Sequence, residues 1–203
     1  MFKKAFPWSR EDQKELPEVD ISGTLVRIRE KRTEDIPDEY SWRVDEELSR
    51  LDATRPLTMS YEDFFRYTSE EMQFQSYRSK RLAVDTLDGL HIGNVMYYDF
   101  NKRNSEAELG IMIGDKDYWG KGYGTDIVVT LINYLFTDLE LRRIYLHTLA
   151  WNYRAQASFI KSGFTEVRPV RRGGQDFVLM EVLRDGWDPD KLLDQKQDGM
   201  SGL

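Results

Sequence analysis

Three glycines at alternate positions, Gly120, Gly122 and Gly124, carry the strongest chemical signal in the sequence. They follow an apolar stretch, Ile111 to Ile113, and precede a segment whose apolar residues repeat with a helical period. Glycine lets backbone N–H groups approach a ligand without a Cβ in the way, and a helix start adds unpaired donors and a positive dipole end. This order of strand, glycine loop and helix favours phosphate binding, and Lys121 adds positive charge.

The spacing of this loop excludes two nucleotide-binding motifs. A Walker A loop requires glycine, four residues and then Gly-Lys-Ser/Thr, whereas here Gly122 follows Lys121. The G-x-G-x-x-G spacing of a dinucleotide-binding fold is also missing, and the chain before the loop predicts a meander rather than βαβ units. A plain turn would not need three glycines, so we expect a ligand-binding loop.

The remaining hydrophobic pattern predicts seven strands and about four helices within one α/β domain. A helix over 33–51 should break at Pro37, and Ser60 should cap a helix that runs to about Tyr77. Leu87 to Gly89 predicts a hairpin turn, and Ser162-Gly163 should end a helix that starts at Asn152. The predicted strands are 24–29, 81–86, 92–100, 106–113, 143–149, 164–170 and 176–183.

Two segments resemble the GCN5-related N-acetyltransferase (GNAT) family, in its ribosomal-protein N-terminal acetyltransferase-like (RimJ/RimL-type) branch. Tyr118 to Thr125, between a strand and a helix, is similar to the family's acetyl-CoA pyrophosphate loop. Asn152 to Phe164 resembles its Asn-x-x-Ala … Lys-x-Gly-Phe helix and strand. The first predicted strand, Asp176 and Trp187 also match, so the resemblance covers roughly residues 22–187.

The resemblance implies an α/β (α+β) fold. We expect a mixed, mostly antiparallel seven-stranded sheet flanked by about four helices, with the fourth and fifth strands splayed apart. The chain would then divide into an N-terminal arm (1–21), an acetyltransferase domain (22–187) and a flexible C-terminal tail (188–203).

The resemblance also implies acetyl-CoA as co-substrate, with no metal. Its pantetheine arm would lie between the splayed strands, its pyrophosphate on the glycine loop and its remainder along the second motif helix. Asn152 would both cap that helix and contact the cofactor. The implied cofactor-binding residues are Ile111, Met112, Ile113, Trp119, Gly120, Lys121, Gly122, Tyr123, Gly124, Thr125, Asn152, Ala155, Ser158 and Lys161.

Acetyl transfer to an amine requires a group that takes the amine's proton. His147 stands five residues before Asn152, where similar enzymes carry a glutamate base, and histidine titrates near neutral pH. Glu108 on the fourth strand is the second candidate base. Related enzymes have a tyrosine that acts as the acid where this chain has Phe159. The thiolate would then be protonated by the neighbouring Ser158 hydroxyl or by water. The alternatives are that no acid is needed or that the protein is a poor catalyst.

Composition narrows the classes of chemistry available. The 203 residues contain no cysteine and two histidines, which excludes disulfides, cysteine-based metal sites and an acyl-cysteine intermediate. The formal charge of −7 argues against nucleic-acid binding, and no apolar run is long enough to span a membrane. We expect a cytoplasmic monomer or homodimer, with His91 on the surface.

The acceptor is left open by the sequence. The family's substrate pocket draws on its first helices and last hairpin, and we expect the aromatic residues there to be mostly core and Arg171-Arg172 to be a solvated turn. A peptide N-terminus, a polyamine and an amino sugar all fit. The alternatives to an enzyme are an acyl-CoA-binding module or sensor, or a nucleotide-binding protein without CoA chemistry. The pocket aromatics are Trp42, Tyr61, Phe64, Phe65 and Tyr67.

Overall fold

A computed structural model describes residues 16–74, 76 and 78–189. Within them, eight strands form one sheet, accompanied by five α-helices and short 3-10 turns. The strands are β1 Asp20–Ser22, β2 Val26–Glu30, β3 Lys80–Thr86, β4 His91–Asn101, β5 Glu106–Ile113, β6 Arg143–Leu149, β7 Thr165–Arg172 and β8 Gln175–Leu183. The helices are α1 Ile36–Val44, α2 Glu46–Leu51, α3 Tyr61–Glu71, α4 Tyr123–Thr137 and α5 Tyr153–Lys161.

The sheet runs in the order β1-β2-β3-β4-β5-β6-β8-β7, and β5 with β6 is its parallel pair. A mixed, mostly antiparallel sheet is therefore confirmed, with one strand more than predicted. The additional strand is β1, which pairs with β2 through Asp20 and Arg29. The predicted boundary between arm and domain, at residues 21 and 22, falls inside this strand. The predicted tail from 188 onward lies almost entirely outside the described residues.

The two parallel strands separate partway along their length. β5 and β6 pair from Glu106 with Arg143 to Glu108 with Tyr145. Both strands continue beyond that point, but they no longer pair with each other. The splayed fourth and fifth strands of the sequence prediction are these two. Because neither strand is paired to the other after Glu108, a gap opens in the middle of the sheet.

The core lies between the sheet and α4. The predicted apolar face of this helix is buried in full, since Ile127, Val128, Leu131 and Leu135 have no exposed area. They pack in one cluster with residues of β2 to β6 and β8. This packing fixes the start of α4, and with it the glycine loop, against the sheet.

Two helix predictions were wrong in detail. The break in the first helical region lies at Asp45 rather than at Pro37, which occupies the first turn of α1 where no N–H donor is needed. Asp45 is extended, and its carboxylate accepts a hydrogen bond from the Leu48 N–H to start α2. Ser60 does cap α3, but that helix ends at Glu71, six residues before the predicted end.

The aromatic residues of the first helices divide between core and surface. Trp42 is buried, and its ring fills the space that a side chain on Gly114 would need. Tyr61, Phe65 and Tyr67 are 36, 38 and 59% exposed, so their assignment to the core was wrong. The helix α3 packs mainly against α1, which leaves much of its apolar side uncovered. Among the described helices, none has the length and hydrophobicity to cross a bilayer.

Candidate active site

A cavity of about 430 Å³ occupies the gap between β5 and β6. It extends past the ends of these strands to the glycine loop and to α5, and the last residues of α2 also line it. Most of the residues that the sequence linked to acetyl-CoA line this one space. They are Ile111, Met112, Ile113, Trp119, Gly120, Gly122, Gly124, Thr125, Asn152, Ala155, Ser158 and Lys161. Lys121 and Tyr123 do not line it.

The glycine loop has the backbone conformation that its composition requires. Gly120 and Gly122 have φ angles of 72° and 88°, in the left-handed region that favours glycine. Gly122 is the N-cap of α4, so the unpaired amide groups of the first helical turn follow directly. A Cβ on Gly124 would stand 3.2 Å from Ser158 Oγ, because α4 and α5 approach closely here.

A tryptophan holds this loop against the end of β5. The indole Nε1 of Trp119 donates to the Ile113 carbonyl at 2.8 Å. The guanidinium of Arg154, from the first turn of α5, lies over the Trp119 ring with its Cζ 3.7 Å from the centroid. Arg154 also lines the cavity, although the sequence analysis did not select it. The signal available was its place inside the Asn152–Ala155 motif.

The start of α5 is capped as predicted. The Asn152 side-chain oxygen accepts a hydrogen bond from the Ala155 N–H at 3.2 Å. Further along the helix, Ser158 Oγ lies 3.4 Å from Thr125 Oγ1 of α4. Ser158 is therefore directed towards the helix that the glycine loop opens.

The two candidate bases are joined to each other. His147 Nδ1 and Glu108 Oε1 are 2.7 Å apart, and their side chains are only 7% and 6% exposed. His147 lines the cavity, whereas Glu108 does not. Glu108 is thus a buried partner of the imidazole rather than a surface carboxylate. Phe159 lines the cavity and packs edge-on against Phe164 at 5.8 Å, which makes it part of the wall.

The second histidine is buried, so its placement on the surface was wrong. His91 Nδ1 lies 3.2 Å from Asp38 Oδ2, and its ring packs on Trp42 at 4.8 Å. It stands beside a buried ion network in which Arg29 binds both Asp35 and Asp85. The network contributes no residue to the cavity lining. Sequence position near a turn misled the prediction because the buried neighbours Asp35 and Trp42 come from the turn before α1 and from α1 itself.

A carboxylate that follows α2 also lines the cavity. Asp52 follows α2 directly, lines the cavity and forms an ion pair with Arg43 at 3.1 Å. Burial raises the pKa of the Asp52 carboxyl, against the opposing effect of Arg43. Gln175 donates to the Ala53 carbonyl at 3.4 Å, so the β7–β8 hairpin meets the chain directly after Asp52.

The charged groups of the lining come from different elements of the fold. Arg154 and Lys161 on α5 form the positive part, near the glycine loop, and Asp52 supplies the acidic group among the described lining residues. Within the described part of the chain, no three His, Asp or Glu side chains are grouped as a metal site would need.

Residues 26–165 match the family described as the acetyltransferase (GNAT) domain. The chain is 30% identical over 110 residues to a Bacillus subtilis protein named "Putative ribosomal N-acetyltransferase YdaF", covering 51% of this chain and 60% of that protein. It is 31% identical over 87 residues to spermidine N(1)-acetyltransferase of Vibrio cholerae, covering 43% of this chain and 50% of that protein. The matches thus span about half to three fifths of these relatives.

Solved structures agree on the fold. RimJ of Mycobacterium smegmatis, in complex with CoA-disulfide, superimposes with a TM-score of 0.73 at 16% identity, covering 89% of this chain and 95% of that one. Spermidine N-acetyltransferase of Vibrio cholerae, in complex with CoA and spermine, gives 0.69 at 21% identity, with 79% and 96% covered. From the matched residues, the sheet and the glycine loop together, this chain belongs to the GNAT acetyltransferase family.

Proposed function

We propose that this protein transfers an acetyl group from acetyl-CoA directly to a primary amine. The observation that carries the proposal is the continuous cavity between β5 and β6, which joins a glycine loop at one end to a buried histidine in its wall. Acetyl-CoA needs both parts, because its pyrophosphate requires oriented donors and its thioester must meet an acceptor near a proton-accepting group.

The phosphate end supports the proposal through its donors and charge. Gly120 and Gly122 leave the loop backbone open, and α4 begins at that point with its unpaired amides. Arg154 and Lys161 add two cations from α5. The overall charge of −7 does not oppose binding here, since these groups act locally.

The unpaired inner edges of β5 and β6 suit the pantetheine arm. Ile111, Met112 and Ile113 lie beyond the last β5–β6 pair and line the gap, so backbone amides of this segment can pair with a ligand in place of a strand. Such an N–H directed at the thioester oxygen would stabilise the tetrahedral intermediate. With no cysteine in the chain, transfer would proceed without an acyl-cysteine intermediate.

For the acceptor, we propose a protein N-terminus or a small amine that carries positive charge. Asp52 provides a negative group in the cavity lining, on a different element of the fold from the glycine loop. The names of the relatives, a ribosomal and a spermidine acetyltransferase, include both kinds of amine. An acyl-CoA-binding module or sensor with weak turnover is the second candidate, and Phe159 favours it because the wall offers no phenol at that position.

The test combines binding with turnover. Calorimetry with acetyl-CoA should give a micromolar dissociation constant, and failure to bind at millimolar concentration would exclude both candidates. Release of CoA should then be followed with peptides of free and blocked N-terminus, spermidine and glucosamine. Acetylation of an amine supports the enzyme, whereas tight binding with no CoA release above the hydrolysis rate for any acceptor supports the sensor.

A further inference from the structure

The Glu108–His147 pair stands at the point where the sheet divides. Glu108 is the last residue of β5 that pairs with β6, and His147 lies two residues beyond its partner Tyr145 on β6. The 2.7 Å contact between Glu108 Oε1 and His147 Nδ1 therefore bridges the two strands at the start of the gap. Both side chains are almost fully buried, so water competes little for this hydrogen bond.

This contact assigns different roles to the two groups. With Glu108 ionised and the imidazole neutral, the carboxylate can only accept, and His147 then carries its proton on Nδ1 and donates it to Glu108. Nε2 is then the nitrogen left to exchange a proton with a ligand. Because His147 lines the cavity and Glu108 does not, only the imidazole of this pair can meet a substrate there.

Among the uncharged residues of the lining, few could carry a proton; the charged ones, Asp52, Arg154 and Lys161, follow α2 or lie on α5. Phe159 has none to give, and the Ser158 hydroxyl is directed to Thr125 beside the glycine loop. Tyr118 packs edge-on against Tyr123 next to that same loop, at 4.9 Å. Histidine is the side chain that gains and loses a proton most readily near neutral pH, and His147 is the one histidine among the described lining residues.

We infer that Glu108 and His147 work as one proton-transfer unit, in which His147 takes the proton of the acceptor amine and returns it to the CoA thiolate. This inference rests on the proposed function. The acceptor reacts as the neutral amine, after its ammonium proton has passed to solvent. The nitrogen attacks the thioester carbon, a C–N bond forms, and one of the nitrogen's two remaining protons passes to His147 Nε2. The C–S bond then breaks, the sulfur takes its electron pair, and the same proton moves from Nε2 to the thiolate. Glu108 is a positioning residue, because it touches His147 and not the reactants.

The surroundings of the pair add few other titrating groups. Tyr98 on β4 and Tyr145 on β6 are the nearest phenols, and burial raises the pKa of each, which keeps both neutral at physiological pH. On β8 the residue paired with His147 is Leu179, which does not titrate. The charged groups that share the cavity are Asp52, Arg154 and Lys161, on α5 or after α2.

Two substitutions separate chemistry from folding. His147→Asn keeps an amide N–H close to the position of Nδ1 for Glu108, but it cannot titrate. Glu108→Gln keeps an oxygen that accepts from Nδ1 and removes the negative charge. Glu106→Gln is the matched control, since Glu106 is on the same face of β5, bonds Arg143 and lies outside the cavity lining.

Turnover should be measured over about pH 5.5 to 9.5, alongside the affinity for acetyl-CoA. We expect His147→Asn to lower kcat by about 10²- to 10⁴-fold while the dissociation constant of acetyl-CoA stays within about twofold. Glu108→Gln should lower kcat by about tenfold and move the acid limb of the rate to lower pH, because the imidazolium loses its counter-charge. Glu106→Gln should change neither property.

Each possible outcome of these experiments tests a different part of the proposal. If the unmodified protein acetylates no amine, the proposed function fails and the inference with it. If it is active and His147→Asn retains its rate, only the inference is overturned. If Glu108→Gln loses rate but the acid limb of its pH profile stays at the same pH, Glu108 only packs against His147. A bell-shaped kcat profile, with a falling limb that survives in Glu108→Gln, would show that a separate acid returns the proton.

Discussion

At the level of single residues, the cavity lining carries charges of both signs. Arg154 and Lys161 lie on α5, and Asp52 follows α2 beside the last hairpin. A donor with phosphates and an acceptor with an ammonium group would each meet the opposite charge. Orientation of the two substrates would then follow from electrostatics before any contact at the thioester is made.

Among the charged residues of the lining, Arg154 allows the clearest prediction. Arg154→Gln should weaken acetyl-CoA binding by about tenfold, because a phosphate loses a charged donor that stacking on Trp119 holds in place. Calorimetry at two salt concentrations measures this, and the loss should be smaller at high salt. Arg171→Gln is the control, since that side chain is 74% exposed on the last hairpin. An equal loss in both variants would mean that overall charge, and not the site, had been changed.

Asp52 allows the corresponding prediction for the acceptor. Asp52→Asn should raise KM for a cationic amine by about tenfold with little change in kcat, because the ammonium loses its counter-ion before the chemical step. Since burial raises the pKa of Asp52, the unmodified protein should lose the same attraction as the pH falls through that raised value.

The control for Asp52 lies on the helix just before it. Glu47 belongs to α2, is 59% exposed in its ion pair with Lys116 and does not line the cavity. Glu47→Gln should therefore leave KM unchanged. A KM for Asp52→Asn equal to that of the unmodified protein, with cationic and neutral acceptors alike, would contradict the role given to Asp52.

At the level of helices, strands and turns, the features predicted correctly are those that depend on a few neighbouring residues. The caps of α3 and α5 at Ser60 and Asn152, and the turn at Gly89, depend on one residue type in one backbone conformation, and all three are confirmed. The strand β1 escaped prediction because three residues give no period. The break at Asp45 escaped because Pro37, the stronger local signal, is harmless in a first helical turn.

The glycine loop offers a test in which backbone strain and ligand binding can be separated. Gly122→Ala places a Cβ on a residue with φ of 88°, which should lower the free energy of unfolding by about 1–2 kcal/mol. The nearest atom to that Cβ is Leu25 Cδ1 at 3.8 Å, so the loss comes from conformation and not from a collision. We also expect weaker acetyl-CoA binding, because the methyl group stands at the cavity wall.

Gly89→Ala is the matched control for this prediction. Gly89 has φ of 92° in the β3–β4 turn, and a Cβ there meets nothing within 4 Å. It should lose similar stability in denaturant unfolding and keep the acetyl-CoA affinity of the unmodified protein. If Gly122→Ala also kept that affinity, the glycine loop would not be the phosphate site.

At the level of the whole molecule, twelve of the fourteen residues that the sequence linked to acetyl-CoA line the cavity, but the sequence did not show how they meet. His147 and Glu108 were each named from their positions, yet their contact joins residues 39 apart and became visible only in the sheet. Asp52 and Arg154 gave no pattern of their own, because tertiary packing brings them to the cavity. His91 shows the reverse case, in which burial comes entirely from neighbours distant in sequence.

A buried ion network ties the first half of the fold together. Arg29 on β2 binds Asp35 before α1 at 2.8 Å and Asp85 on β3 at 2.6 Å, with all three side chains at most 7% exposed. Burial alone would raise the pKa of Asp35, but hydrogen bonds from Arg29 and from the Arg32 N–H outweigh it and hold the pKa below its usual range. The network thus binds helix to sheet through charges that must stay paired.

The stability of the molecule should consequently depend on Asp35 in acid. A carboxyl whose pKa is lowered in the folded state stabilises that state above its unfolded pKa of about 3.9, and the contribution disappears as the pH falls through the folded value. Asp35→Asn should lower the free energy of unfolding by about 3–5 kcal/mol at pH 7, because Arg29 keeps its charge with one partner fewer. The difference should narrow below about pH 4 in urea unfolding. Asp20→Asn is the control, because Asp20 forms an exposed pair with Arg27, and it should have little effect at any pH. If the loss of unfolding free energy in Asp35→Asn stayed constant down to pH 2, packing and not charge would hold α1 to the sheet.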